Sequence, residues 1–402
     1  MAGERPPELS SLRRPEEVSR RALLAAPVLV WLQNGRMEID ASIPAGNIVV
    51  ESISTADVRI RQDLRDTEGD WFWWCFEVRG TGAEMVRFQF TGSDVIGTRG
   101  PAISTDRGLN WRWLGRGSVD GTSFVHRFDP RIPATRFAFA MPYTESELRR
   151  FLRGRKGVRV EALCQTKRGR TAERLRLGPV SPTAIKVLLT ARHHCCECMA
   201  SYAMEGLLEA AIEDRWLSRN VAFAVIPFVD KDGVEDGDQG KNRRPRDHNR
   251  DYDGESIHAT VRAIRDWVPE WGAGRLAFAL DMHCPWIRGE HNEEIYFPGG
   301  EDPRNWGEIS KFAGLLEKLN RGPLPYSTTS NLPFGMAWNT AANYKQGMSF
   351  ARWAAELHGI RAAGTIEIPY ANCDGVDVTA HSARALGHSL AAALREYLRN
   401  SA

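Results

Sequence analysis

The sequence predicts an α/β domain, with a mainly parallel or mixed sheet flanked by helices, preceded by an all-β sandwich. Three observations carry that prediction. Residues 37–143 hold short apolar segments separated by turn signals, with no sustained helical period. From residue 144 onward, apolar runs alternate with helical stretches, the pattern of strands and helices stacked on a parallel sheet. The chain has 402 residues, more than one hydrophobic core usually serves, so two cores are expected.

In the first part, 47–52, 58–62, 71–78, 86–90, 123–128 and 136–140 are the expected strands. The run WFWWCFEV at 71–78 is apolar on both faces, as a strand covered from two sides would be. Trp71, Trp73 and Trp74 are accordingly expected in the core rather than along a groove. Thr144 and Glu147 form a Ser/Thr-x-x-Glu capping box that starts a short basic helix over 148–153. The boundary between the two parts is placed there. Beyond it, strands are expected at 185–189, 221–226, 276–280 and 364–368, and helices at 199–214, 256–268, 306–319, 350–358 and 379–399.

Composition limits function. Hydrophobic residues make up 42% and charged residues 26%, and the formal charge of +2 gives no global pull toward nucleic acid or a membrane surface. Seven cysteines, three of them crowded at Cys195, Cys196 and Cys198, do not resemble a secreted disulfide framework, and a reducing cytoplasm is the expected compartment. The apolar stretch 22–32, preceded by Arg13, Arg14, Arg20 and Arg21, lacks a small-x-small cleavage site and is too short to span a bilayer. Residues 1–36, rich in Pro, Arg and Glu, are expected to be a flexible extension. Nothing in the sequence signals an oligomeric state.

The chemistry-bearing residues lie at the ends of the apolar runs of the second part, where open α/β sheets place their ligands. The strand at 185–189 leads into TARHHCCE, so His194 and Glu197 stand three apart across a strand-to-helix turn and can converge on one ion. The strand at 276–280 ends in Asp281-Met-His283. Two histidines and one carboxylate would leave a fourth position open, as a catalytic metal requires. In GTIEIPY, Glu367 sits mid-strand; a lone buried carboxylate needs a partner or a cleft, and a base beside a water satisfies that need. Arg246-Asp-His-Asn-Arg250 follows a turn-rich charged loop, and an arginine fork with an asparagine beside it suits an anionic substrate end. The basic run 241–250 has no interleaved aromatics, which argues against nucleic acid. Each piece alone has an ordinary reading as a solvated turn or core histidine; the four in this order do not.

In that order they resemble the zinc carboxypeptidase family, most closely its cytosolic carboxypeptidase branch. Residues 190–206, TARHHCCECMASYAMEG, are similar to that branch's first metal motif, a His-x-x-Glu followed by a helix ending near Met-x-Gly. PFVDKDGV at 227–234 resembles its Pro-x-x-Asn-Pro-Asp-Gly-Val loop, and RDHNRDY at 246–252 its Arg-Asp-Leu-Asn-Arg-Asn-Tyr. GDWFWWCF at 69–76 and FAMPYT at 139–144 look like the β-sandwich that precedes the catalytic domain in the branch.

The resemblance implies one zinc ion per chain held by His194, Glu197 and His283, with Glu367 as the base that takes a proton from water. It implies that Asn249 and Arg250 bind the terminal carboxylate of a peptide or protein, that Asp247 orients the first histidine, and that Tyr344 is the mobile carboxylate-binding tyrosine. An arginine that polarises the scissile carbonyl is assigned to Arg243, and Arg288, Arg352 or the stretch 348–350 to the specificity pocket. The sequence departs from the branch at Cys195-Cys196, where Pro-Gly is usual. Rival readings are an amidase acting on N-acyl amino acids with the same metal logic, a peptide-binding protein without catalysis, and redox chemistry at Cys195-x-x-Cys198, where a helix start would stabilise a thiolate.

Overall fold

Residues 37–400, apart from Gly82, are described by a computed structural model. The flexible extension expected over 1–36 lies outside the described residues. The first part contains β1 (Glu38–Asp40), β2 (Val49–Ile53), β3 (Asp57–Arg61), β4 (Cys75–Arg79), β5 (Met85–Phe90), β6 (Ala102–Ser104), β7 (Arg112–Trp113), β8 (Val119–Asp120), β9 (Ser123–Arg127) and β10 (Ala134–Ala138). These form two five-stranded sheets, β1-β4-β10-β6-β7 and β2-β3-β5-β9-β8. Large rings pack between them: Phe76 of β4 lies 5.6 Å from Phe88 of β5, and Phe137 of β10 lies 5.2 Å from Phe124 of β9. All four rings are fully buried.

The stretch expected as one strand over 71–78 is a strand only from Cys75. Residues 71–74 leave the sheet because their backbone is claimed elsewhere: Trp73 N donates to Gln239 Oε1, and Gln239 Nε2 donates back to Trp73 O. Trp73 and Trp74 are buried as expected, whereas Trp71 is only half-buried and lies on the wall of the cleft described below.

The capping box at Thr144 is present and opens α1 (Glu145–Leu152). A six-stranded mixed sheet follows, ordered β11-β12-β14-β13-β15-β16 and built from β11 (Val158–Gln165), β12 (Thr171–Leu177), β13 (Ile185–Ala191), β14 (Val221–Ile226), β15 (Leu276–His283) and β16 (Ala362–Glu367). The last four are mutually parallel and coincide with the expected apolar runs. The hairpin β11–β12 was not expected. Its alternation is of charged and apolar residues half open to solvent, and its apolar positions find partners only in elements remote in sequence, β12 by antiparallel pairing with β14 and Leu163 of β11 against a core that includes Val261 and Ile264.

Helices α2 (Cys198–Glu213), α3 (Arg215–Asn220), α4 (Lys231–Asp236), α5 (Ala259–Gly272), α6 (Pro303–Leu319), α7 (Phe350–Ala355) and α8 (Ala380–Asn400) surround the sheet. No helix among the described residues is long and apolar enough to cross a membrane.

Strand order positions the site. The chain runs from β13 to its neighbour β14 on one side, then returns to place β15 on the other side of β13. The connections therefore part at the carboxyl ends of β13 and β15, and a crevice opens where such sheets hold their ligands. Helix α2, which starts immediately after Glu197, is locked by a backbone crossing with α8. A Cβ on Gly206 would stand 2.0 Å from Arg384 O, and one on Gly387 would stand 2.0 Å from Ala203 O. Neither obstacle is a flexible side chain. Gly206→Val should therefore force the helices apart and cost roughly 3 kcal/mol, read as a lowered midpoint in urea unfolding.

Candidate active site

The turn after β13 is built from buried polar contacts. Arg192 adopts φ 63°, a left-handed conformation uncommon for a side-chain-bearing residue, and its guanidinium is fully buried. From there it donates to Cys195 O (2.8 Å), Tyr143 O (2.7 Å) and Ser201 Oγ (3.2 Å), tying the turn to α2 and to the approach of α1. Cys195, in the position where Pro-Gly is usual, donates its thiol to Asp238 O at 3.0 Å. Gly240, at φ +80°, passes so close that a Cβ there would lie 2.5 Å from Cys195 N. Glu197 occupies the N-cap position of α2 without capping it, so its carboxylate is free to turn into the crevice.

There Glu197 meets both expected histidines. Nδ1 of His194 is 3.0 Å from its Oε1, and Nδ1 of His283 is 2.7 Å from its Oε2. One atom from each of the three residues lies within 4.8 Å of the others. A second trio, His193, Asp281 and His283, is equally compact. His193, however, has both ring nitrogens engaged, Nδ1 with Asp281 (2.8 Å) and Nε2 with the Tyr252 hydroxyl (2.8 Å), and it is fully buried. His194 and His283 line the cleft, and His193 does not. The first trio is the one open to an incoming ion and substrate.

Its chemistry fits a metal cation. Oε2 of Glu197 accepts no hydrogen bond despite the nearby imidazole. Burial opposes charge on His283 and His194, yet Asp281 and Glu197 raise the first well above the ordinary imidazole value, and Glu197 and Asp247 raise the second. Burial likewise opposes ionisation of Glu197, but His283, Lys241 and His194 hold it well below the usual carboxylate range. The carboxylates thus demand positive charge at one point, which two N donors and one O donor can also receive as a divalent ion. Asp281 pairs with His283 Nε2 and leaves Nδ1 facing Glu197. Its role was missed in the sequence, although residues two apart on a strand share a face and Asp281 is two before His283.

The other expected residues are distributed unequally. Glu367 pairs in register with His283 on the adjacent strand. It is 8% exposed, lines a cleft of about 800 Å³, and its Oε2 has no hydrogen-bond partner. Burial pushes its carboxyl above the ordinary value, with Glu197 adding to the effect and His283 opposing it. Asp247 Oδ1 lies 3.6 Å from His194 Nε2 and accepts from Asn249 N. Asn249 anchors its Oδ1 on Phe350 N, and its amide nitrogen is 3.5 Å from His283 Nε2. Arg250 lies 5.0 Å over the Tyr344 ring, and both residues line the cleft. The Tyr344 hydroxyl donates to Asn339 Oδ1.

Arg243 is not brought to the cleft. Its side chain, 10% exposed, is held by Asp66 (3.2 Å), Asp230 (3.2 Å) and Asp238 (2.8 Å), and three carboxylates leave it no charge to offer a substrate. The cation that reaches Glu197 is Lys241, unforeseen in the sequence. Of the pocket candidates, Arg352 faces Glu301 at 3.4 Å and Arg288 is spent on Asp94 O; both line the cleft. The thiolate that the rival redox reading needs at Cys195-x-x-Cys198 is disfavoured: burial pushes Cys198 up to about 12 and Cys195 well above its ordinary value.

Comparison with known proteins agrees with this architecture. No protein-family model matches the chain. An uncharacterized protein of Zymomonas mobilis is 25% identical over 61% of this chain and 67% of its own length. Cytosolic carboxypeptidase 3 of mouse is 27% identical over 53% of this chain, and the match spans only 25% of the mouse protein. Among solved structures, a metallo-carboxypeptidase from Burkholderia cenocepacia superposes with a TM-score of 0.73 at 21% identity, covering 91% of this chain and all of that one. The fold is thus that of a metallo-carboxypeptidase. Within that class the chain resembles the zinc carboxypeptidases of the cytosolic-type branch, as its motifs indicate.

Asp281→Asn removes the carboxylate that orients His283 and should weaken divalent-metal affinity by about 10- to 100-fold, measured by competition with a chromogenic chelator, while the folded spectrum is retained.

Proposed function

We propose that this protein is a zinc-dependent metallocarboxypeptidase that hydrolyses the C-terminal amide bond of peptides or protein tails. The observation that carries the reading is the convergence of His194, Glu197 and His283 at the wall of a cleft into which the unpartnered Glu367 carboxylate also opens. In this reading the three residues hold one zinc ion, which when bound supplies Lewis acidity and lowers the pKa of a coordinated water.

The remaining roles belong to the chain's own groups. Glu367, with its carboxyl pushed up by burial, takes a proton from the attacking water and returns it to the leaving amine. Arg250 and Asn249 receive the substrate's terminal carboxylate. Arg250 donates to the carbonyls of Asn343 (3.1 and 3.3 Å) and Asn249 (2.9 Å), with no carboxylate within ion-pair distance among the described residues, so its guanidinium can take an anion from the cleft. Tyr344, beside that guanidinium, adds a hydroxyl once released from Asn339. Asp247 holds His194 in its ligating orientation. Residues 37–143 are read as a β-sandwich domain and 144–402 as the catalytic domain. All seven cysteines are unpaired and six are buried, which accords with a reducing, cytoplasmic setting.

Peptides with a free C-terminus should lose their last residue, and the same peptides with a C-terminal amide should be spared, as read by mass spectrometry. Chelation should abolish the release and zinc restore it. Glu367→Gln should keep its zinc and lose about 10²- to 10⁴-fold in kcat; full turnover in that variant would refute the assigned base. Cleavage of N-acyl amino acids in place of peptides would move the reading to a deacylase.

A further inference from the structure

We propose that Lys241 is the group that receives the negative charge developing on the substrate's carbonyl oxygen, and that the segment 63–73 of the N-terminal part holds it there. The proposal rests on the carboxypeptidase reading and gives the substrate a contact that the arginines of the cleft do not supply.

Lys241 lines the cleft with its side chain 11% exposed. Its ammonium has three N–H bonds. One is directed to Glu197 Oε1 at 2.7 Å and one to Cys284 O at 3.1 Å, which leaves the third for a group in the cleft. Trp71 lies beneath it, 5.4 Å from nitrogen to ring centroid. Apart from the two histidines, no other cationic side chain among the described residues pairs with Glu197. If Glu197 shared its charge with a metal ion, the buried ammonium would need another anion, because an unpaired charge away from water is strongly unfavourable.

The position is enforced from both sides. Arg65 pairs with Asp238, Gln239 exchanges two hydrogen bonds with Trp73 (2.6 and 2.9 Å), Glu68 N donates to Asn242 O (3.2 Å), and Arg244 N donates to Asp66 O (3.0 Å). Each of these partners lies within three residues of Lys241, so the loop cannot shift without breaking contacts to 63–73.

In the reaction, the water oxygen bonds to the carbonyl carbon as its proton passes to Glu367. The π pair of the carbonyl moves onto oxygen, and Lys241 donates a hydrogen bond to that oxygen while keeping its proton. The pair returns as the C–N bond breaks, and the amine leaves with the proton that Glu367 held.

The test uses the zinc-loaded full chain and its Lys241→Met and Lys241→Arg variants. Lys241→Met should retain one zinc and lose about 10²- to 10³-fold in kcat, with KM changed by less than about threefold. A phosphinic peptide, whose tetrahedral anion mimics the charged oxygen, should bind it weaker by a similar factor, whereas a product amino acid should bind equally well. Lys241→Arg should recover most of both losses. Unchanged kcat in Lys241→Met, or loss of zinc in step with activity, would overturn the proposal. Trp71→Leu, a positioning variant, should lower kcat and phosphinic-peptide affinity together at full zinc content; no change in either would refute the role of the segment, whether or not Lys241→Met folds. If the wild type releases no terminal residue, the carboxypeptidase reading fails by itself, and equal phosphinic-peptide binding by wild type and Lys241→Met would then overturn this proposal too.

Discussion

The crevice depends on one carboxylate placed where water cannot reach it. Glu197 is fully buried, and a carboxylate stripped of solvent is tolerated only if positive or hydrogen-bonding groups surround it. Here those groups arrive from separate parts of the chain: His194 from the turn after β13, His283 from the end of β15, and Lys241 from the loop beyond α4. Satisfying Glu197 therefore fixes the relative placement of three segments remote in sequence. The same electrostatic demand that stabilises the carboxylate makes the point between them hospitable to a cation.

A second layer of charge supports the first, and it is made of two buried arginines, one of which, Arg243, the family resemblance sends to the substrate. Arg192 turns inward to hold the carbonyls of its own loop. Arg243 gathers Asp66, Asp230 and Asp238, a cluster of like charges that it and Arg65 neutralise between them. Neither side chain is available for chemistry because each is consumed in making the turn and the loop rigid. Pre-organisation of this kind matters more for a reactive site than an additional charge nearby, since a loosely held donor loses its effect over fractions of an ångström.

Which parts were legible in the sequence follows from where the information is stored. The four parallel strands are buried on both faces, so their apolar runs stand out, and the polar residues that end them were visible by contrast: His194, Glu197 and His283 meet where expected, and Glu367 opens into the same cleft. The hairpin β11–β12 was invisible because half of each strand faces solvent and its charged alternation resembles a loop. Lys241, Asp281 and Trp71 were missed for a different reason. Nothing in the local sequence separates Lys241 from Arg243, two residues on; the pairing with Asp66, contributed by a distant segment, draws the arginine away and leaves the lysine at the cleft.

That distant segment shows why the N-terminal part is more than an appendage. Phe72 and Phe139 pack edge-on against Tyr370 at 5.4 and 5.1 Å, three residues beyond Glu367, and the Tyr370 hydroxyl reaches Cys196 Sγ at 3.5 Å. One aromatic cluster thus touches both the turn that carries Glu197 and the strand end that carries Glu367. With residues 63–73 bracing the loop of Lys241 at the same time, the spacing between Glu367, the trio of His194, Glu197 and His283, and Lys241 depends on contacts from both parts of the chain. Among the described residues that line the cleft, Trp71 alone comes from the first part; the remaining contribution of that part is to brace, through residues 63–73 and the rings of Phe72 and Phe139, the loop and the strand end that carry Lys241 and Glu367.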